Sequence, residues 1–332
     1  MDFTKLNEKE IVRRIVIGLN DGLSLEKRKS YVRDQIPLHW LFDNEKGFRN
    51  CFREAYASLK WLKEKENRTI LEFGDKFYPS FEGLTSHLPY LLFIEGVVPS
   101  DNPILGIVGT RRPDYQALHE AFRIGFEASL NGISLISGMA EGVDQASMRG
   151  CLSSKAPCLG VLACGHNLEY PALTSRLRTE IIETGGAVIS RFAPDTPSYK
   201  SNFVSRNMII AAYSKALVAI QAPRHSGTLI TCDYAIAMNK DVYIGSSGVG
   251  NSLCQEGTSS LAYEGAPVVR SLQDFDLGGF EPFYQVKVAK SSGFDAARNV
   301  IKTYATGSKE SLTESLTVRF GDKWYIVEGR AR

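Results

Sequence analysis

Hydrophobic and polar positions alternate along this chain in three successive styles. In residues 1–66 the apolar positions recur at helical spacing, as in Phe48, Cys51, Phe52, Ala55, Leu59 and Leu62, with Arg49, Arg53, Lys60 and Lys63 between them. That stripe is one face of an amphipathic helix, so a small helical domain is expected here. From about residue 69 to 269 short apolar runs alternate with amphipathic stretches. Ile104–Val108, Ile133–Ile136, Cys158–Ala163, Ala187–Ile189, Ala216–Ile220 and Asp241–Ile244 read as strands. Between them lie helical stretches from Asp114 to Leu130, from about Gly142, from about Leu173 to Glu183, and from Phe203 to Ser214. Continuous apolar strands separated by helices are strands buried on both faces, which predicts a doubly wound, mainly parallel α/β sheet. Over residues 270–332 the pattern weakens to alternating segments at Pro282–Val288, Leu316–Phe320 and Trp324–Val327, a small mixed appendage.

No apolar run approaches the roughly 18 residues that span a bilayer, and the first ten residues are polar, so a cytoplasmic protein without a membrane partner is expected. The six cysteines show no C-x-x-C spacing, and Cys151, Cys158, Cys164 and Cys232 lie in apolar stretches. They read as small buried hydrophobes, and neither a zinc site nor any other cofactor is expected. Net charge is only +2, so any nucleic-acid surface must come from local placement of charge. Residues 171–230 supply it, with seven basic side chains against three acidic.

In an open α/β sheet, ligands bind outside the carboxyl ends of the strands, near the switch point in strand order. The turns there are Gly109-Thr110-Arg111-Arg112, then Ser137-Gly138 through Asp144, then Cys164 to Pro171, and finally Arg224-His225-Ser226-Gly227-Thr228. Glycine lets a backbone approach an anion, and the first N–H groups of the following helix point at it with a favourable dipole. Several such turns on one edge make anion sites side by side. The helix-like segment from Phe203 adds Arg206 and Asn207 near the same edge, although alone it also fits a capped helix with one solvated arginine. There is no G-x-G-x-x-G, no G-x-x-x-x-G-K-[ST] and no G-x-S-x-G, so neither a dinucleotide fingerprint, a P-loop nor a nucleophile elbow is present. His166 reads as a loop histidine, and Asp144 as a brace of the helix that follows it.

These residues resemble the DNA-processing protein A family (DprA, also called Smf). The resemblance rests on Gly109-Thr110-Arg111, Ser137 to Asp144, Gly165 to Pro171, Phe203 to Ser214, Ser226 to Thr231, and Gly257-Thr258 with Leu261 and Gly265-Ala266. Gly74-Asp75, Tyr78-Pro79 and Pro89 to Phe93 are similar to its lead-in. The resemblance implies an extended Rossmann-like domain that binds single-stranded DNA, forms a homodimer and hands the strand to the RecA recombinase in natural transformation, without catalysis. Carried over by position, Arg111, Ser137, Gly138, Arg206, Asn207 and Thr228 would line the DNA pocket. The chain departs from the family pattern at Arg191, Met208 and Tyr243-Ile244-Gly245, and no winged helix is evident after residue 270. The alternative is a nucleotide-binding sensor or nucleotide hydrolase of a related Rossmann-like fold.

Overall fold

The computed structural model describes residues 3–79, 88–99, 103–168, 174–277, 284–288 and 317–329. Four helices come first: α1 (Glu8–Leu19), α2 (Leu25–Arg33), α3 (Leu38–Asn44) and α4 (Phe48–Glu64). Asn7 and Ser24 cap the first two by accepting the N–H of Glu10 and Lys27, a local use of short polar side chains that satisfies otherwise orphaned donors. Phe48, Cys51, Ala55, Leu59 and Leu62 of α4 are buried, as their spacing predicts. With Ile15, Val16 and Trp61 they form a core that continues into Ile70, Leu91 and Phe93 of the sheet.

The sheet has nine strands in the order β1-β2-β6-β5-β4-β3-β7-β8-β9. They are β1 (Arg68–Glu72), β2 (Leu91–Gly96), β3 (Ile104–Val108), β4 (Ser134–Ser137), β5 (Cys158–Val161), β6 (Ala187–Ser190), β7 (Ala216–Ala219), β8 (Asp241–Gly245) and β9 (Val268–Val269). From β6 to β9 every pairing is parallel. β1 and β2 pair antiparallel with each other, and β2 antiparallel with β6, so they extend the sheet in the opposite sense. Neither is among the strands that the apolar pattern predicts. Five further helices connect the parallel strands: α5 (Tyr115–Leu130), α6 (Val143–Ser153), α7 (Thr174–Glu183), α8 (Lys200–Tyr213) and α9 (Gly227–Ala237); α10 (Glu256–Tyr263) precedes β9.

Alternate residues of a strand face opposite sides, and the burial follows that rule. Leu105 and Ile107 of β3 pack with α5 and α6, while Ile104 and Val108 pack with Met208 to Ala212 of α8. Cys151, Cys158, Cys164 and Cys232 are buried free thiols within these two cores. Burial pushes the Cys232 thiol up to about 12, which keeps it in the inert protonated form.

The tail forms a separate three-stranded antiparallel sheet, β10 (Tyr284–Val288), β11 (Thr317–Phe320) and β12 (Lys323–Gly329), with β12 in the centre. The alternating segments therefore do pair; Pro282, Phe283 and Leu316 lie outside the described residues. Tyr325 and Val327 pack on Phe122 and Phe126 of α5, and the Tyr325 hydroxyl meets His119 Nδ1.

Candidate nucleic-acid interface

β3 has β4 on one side and β7 on the other, so the strand order reverses there. At such a point two neighbouring connections leave to opposite faces and open a crevice at the carboxyl ends. The chain lines that crevice with backbone. Thr110 N–H donates to Gln221 O at 2.7 Å, and Ile220 N–H to Val108 O at 3.0 Å, which fixes the β3 turn to the β7 turn. The fully buried Gln221 side chain extends the tie. Its Nε2 donates to Asp114 Oδ2 at 2.7 Å and its Oε1 accepts from Asp114 N at 3.0 Å. Asp114 in turn caps α5 by accepting the Ala117 N–H at 2.8 Å. Sequence reasoning did not single out Gln221, because its partners are 107 positions away.

The β4 turn carries the strongest constraint. A Cβ on Gly138 would stand 1.1 Å from Arg206 Nη1, so the guanidinium occupies the space that only glycine leaves. Met139 follows at φ 60° and Gly142 at φ +82°, a tightly curled loop in which a Cβ on Gly142 would also stand 2.6 Å from Thr110 O. A non-glycine residue in this region is strained and clusters at functional loops. Ser137 Oγ donates to Ile107 O at 2.6 Å, which spends its hydroxyl proton on the sheet.

Arg206 departs from the solvated reading. It is 5% exposed, its Nη1 lies 3.8 Å from Asp144 Oδ2, and its Nε is buried without a hydrogen-bond partner. Burial lowers the Arg206 value from its ordinary one, with Asp144 opposing and the charge of Arg111 adding to the fall. Burial likewise raises Asp144, opposed first by Arg206 and then by the N–H groups of Ala140 and Gly138. A guanidinium does not give up its proton in proteins, so the pocket floor keeps a cation. Asp144 accepts from Ala140 N–H at 3.3 Å, so it braces the loop that precedes α6 rather than the helix itself.

Asn207 Nδ2 donates to Gly227 O at 3.0 Å and thereby joins α8 to the start of α9. Ser226 stands at the N-cap of α9, yet its side chain makes no capping bond, and its Oγ is buried without a partner. Thr228 is buried in the first turn. Arg111 is exposed, with its guanidinium 5.0 Å from the ring of Phe203, an aromatic that lay in the motif but was not assigned to the site. Contacts thus bring together the turns of Gly109, Thr110 and Arg111, of Ser137 and Gly138, and of Ser226, Gly227 and Thr228, with Arg206 and Asn207 between them. Arg224 and Arg112 are exposed, and no contact among the described residues ties the Arg224 side chain to this group.

His166 belongs to a different place. It is buried against Trp61, with ring centroids 4.7 Å apart, and its Nε2 is 2.9 Å from Phe93 O. Arg178 Nη2 lies 2.9 Å from its Nδ1 and donates to Glu95 Oε2 at 2.5 Å. Burial, with the Arg178 charge, pulls the imidazole down to about 3 and leaves it neutral. Tyr170 and Pro171 of the same turn lie outside the described residues.

Residues 69–276 match the sequence profile of the DNA recombination-mediator protein A family. The chain belongs to that family. Protein Smf of Escherichia coli is 30% identical over 214 residues, which cover 64% of this chain and 57% of that protein. The DNA processing protein DprA of Streptococcus pneumoniae is 29% identical over 241 residues, 71% of this chain and 84% of its own length. The X-ray structure of the latter aligns with a TM-score of 0.61 at 26% identity, over 84% of this chain and 95% of that one. DNA processing protein A from Helicobacter pylori, described there with a single-stranded DNA binding mode, shares the fold with a TM-score of 0.53 at 24% identity, over 63% of this chain and 93% of that one. The family match covers the whole nine-stranded sheet apart from the first residue of β1, and both ends of the chain lie outside it. No helix among the described residues is long and apolar enough to cross a membrane.

Proposed function

We propose that the chain binds single-stranded DNA along the carboxyl edge of the sheet and passes it, as a cytoplasmic homodimer, to a RecA-type recombinase in natural transformation. The division of labour proposed is a helical domain over residues 1–66, the DNA-binding domain over 69–269 and an appendage over 270–332. The observation that carries the reading is the Arg206 guanidinium seated in the space that Gly138 leaves, with Arg111 exposed at the neighbouring β3 turn. Buried polar groups almost always have partners; Arg206 Nε and Ser226 Oγ have none, and a small shift of their turns would offer each to a phosphate. The exposed Arg111, Arg112 and Arg224 then meet neighbouring phosphates, and the ring of Phe203 offers a face to a base. The Asp144 carboxylate is engaged with Arg206 and Ala140, which favours binding and delivery over water activation.

A salt titration with fluorescent oligothymidine tests this. Affinity should fall steeply with salt, by about 0.7 in log–log slope for each phosphate neutralised on a single strand. Arg111→Ala should weaken binding and flatten that slope. Unchanged affinity and slope would remove the pocket from this edge. Weak oligonucleotide binding beside tight binding or turnover of a nucleoside monophosphate would instead favour the nucleotide-sensor or hydrolase reading. Transfer to the recombinase is read by RecA filament growth on a coated oligonucleotide with and without the protein.

A further inference from the structure

Arg191 directly follows β6 and takes no part in the crevice between β4, β3 and β7. It nevertheless stands on the same edge. β4, β5 and β6 are adjacent and parallel, so at about 4.8 Å per strand the end of β6 lies about 10 Å from the Ser137–Gly138 turn. Its guanidinium rests 5.6 Å from the Phe192 ring centroid and 3.8 Å from Oδ1 of Asp21, in the turn between α1 and α2. Arg28 of α2 approaches the same oxygen, at 3.6 Å. Both separations are longer than a hydrogen bond, and the Asp21 side chain is 85% exposed.

The donors here are underused. Arg28 is 8% exposed and lies over the Tyr90 ring at 5.9 Å; its Nη2 donates to Asn20 O at 2.6 Å. Its Nε, however, is buried with no hydrogen-bond partner. Arg191 donates no hydrogen bond among the described residues. Burial lowers the Arg28 value, Asp21 opposes, and the nearby charge of Arg191 lowers it further, so the two cations feel each other. One other acid is at hand, Glu54, whose carboxyl is raised by burial and by the charge of Asp21. Two guanidinium forks set around one poorly bonded, exposed carboxylate match the geometry by which arginines bind a tetrahedral oxyanion.

We propose that Arg28 and Arg191 form a second phosphate subsite, at the β6 end of the edge, for a backbone phosphate of the same single strand. The inference rests on the reading that this edge carries single-stranded DNA. At the stacked rise of 3.4 Å per nucleotide the subsite is about three nucleotides from the Gly138 turn, and fewer along an extended strand. Asp21 occupies the place of that phosphate in the free protein and swings into water when the strand arrives.

The experiment compares the thymidine dinucleotide, whose single phosphate cannot fill both subsites, with an oligothymidine of about 16 nucleotides, the upper span of a single-strand-binding fold. Arg191→Gln should weaken the longer strand about tenfold and lower its salt slope by about 0.7, with the short strand unaffected. Asp21→Asn, which removes the competing carboxylate, should tighten the longer strand several-fold. Arg191→Lys should keep most of the slope. Native affinity of Arg191→Gln for both lengths overturns the subsite. So does an equal loss at both lengths together with a lower melting temperature, the outcome of a mere brace between the α1–α2 turn and the sheet. Arg111→Ala separates the two levels: it weakens both lengths when the edge binds DNA, and leaves both unchanged when the parent reading itself is wrong.

Discussion

Taking the Arg206 guanidinium away would leave the Asp144 carboxylate buried, with only the Ala140 and Gly138 N–H groups for company. Breaking a buried pair on one side costs about 3–5 kcal/mol. Arg206→Met should therefore lower the unfolding free energy by about that much in urea, and adding Asp144→Asn should recover most of it. Ser226 offers the opposite contrast. Removing an N-cap hydroxyl ordinarily costs about 1 kcal/mol, but the Ser226 hydroxyl makes no capping bond. Ser226→Ala should leave the melting temperature unchanged and weaken oligothymidine several-fold; a lower melting temperature with native affinity would make it a structural residue. The turns of the candidate site were legible in the sequence because strand-end turns of an α/β sheet restrict their composition to glycine and short polar residues. The burial of Arg206 was not, because its cause, the missing Cβ of Gly138, sits on another element 68 positions away.

Elements whose burial is two-sided announced themselves as apolar runs, and β3 through β8 fall where those runs do. β1 and β2 escaped this pattern, β1 because Arg68 and Glu72 bracket its three middle residues and β2 because its run from Leu91 to Ile94 closes on Glu95. Those charges are compatible with a strand only because distant partners meet them. Arg14 of α1 reaches Glu72 at 2.7 Å, and Lys65 and Arg178 reach Glu95 at 2.6 and 2.5 Å. The same seam predicts a pH response. Burial would raise Glu95, but the hydrogen bonds and charges of Lys65 and Arg178 outweigh it and hold the carboxyl at about 2. His166 is held at about 3. Both values are depressed in the fold, so both groups contribute stability that is complete above their unfolded values and lost as pH falls. The loss begins near pH 6.5, where the unfolded imidazole takes its proton, and steepens below about 4.5 as the unfolded carboxyl follows. Urea melts between pH 7 and 4 should show this decline, and His166→Gln should flatten its upper part.

Across the whole molecule the net charge is close to neutral, so the proposed binding of an anion has to come from where the arginines stand rather than from an overall field. The tail sheet is held through its own small core on the outer face of α5. Tyr325→Ala, which empties a fully buried aromatic position, should cost about 3–5 kcal/mol of docking. It should speed hydrogen exchange along α5, yet leave oligothymidine affinity within about twofold, as expected of distant sites. A larger loss would mean that the appendage helps to hold the binding turns. The bonds that lace the crevice together have a consequence for the timing of its birth. Thr110 waits for Gln221, and Ala222, the next residue, donates to the Thr258 hydroxyl while its own oxygen accepts the Gly257 N–H. Chains fold from the amino end as they are made, so the turns of β3 and β4 leave the ribosome long before the residues that clamp them. The crevice is therefore not laced shut until the last third of the chain has been synthesised, so its geometry is set late although its first turns are made early.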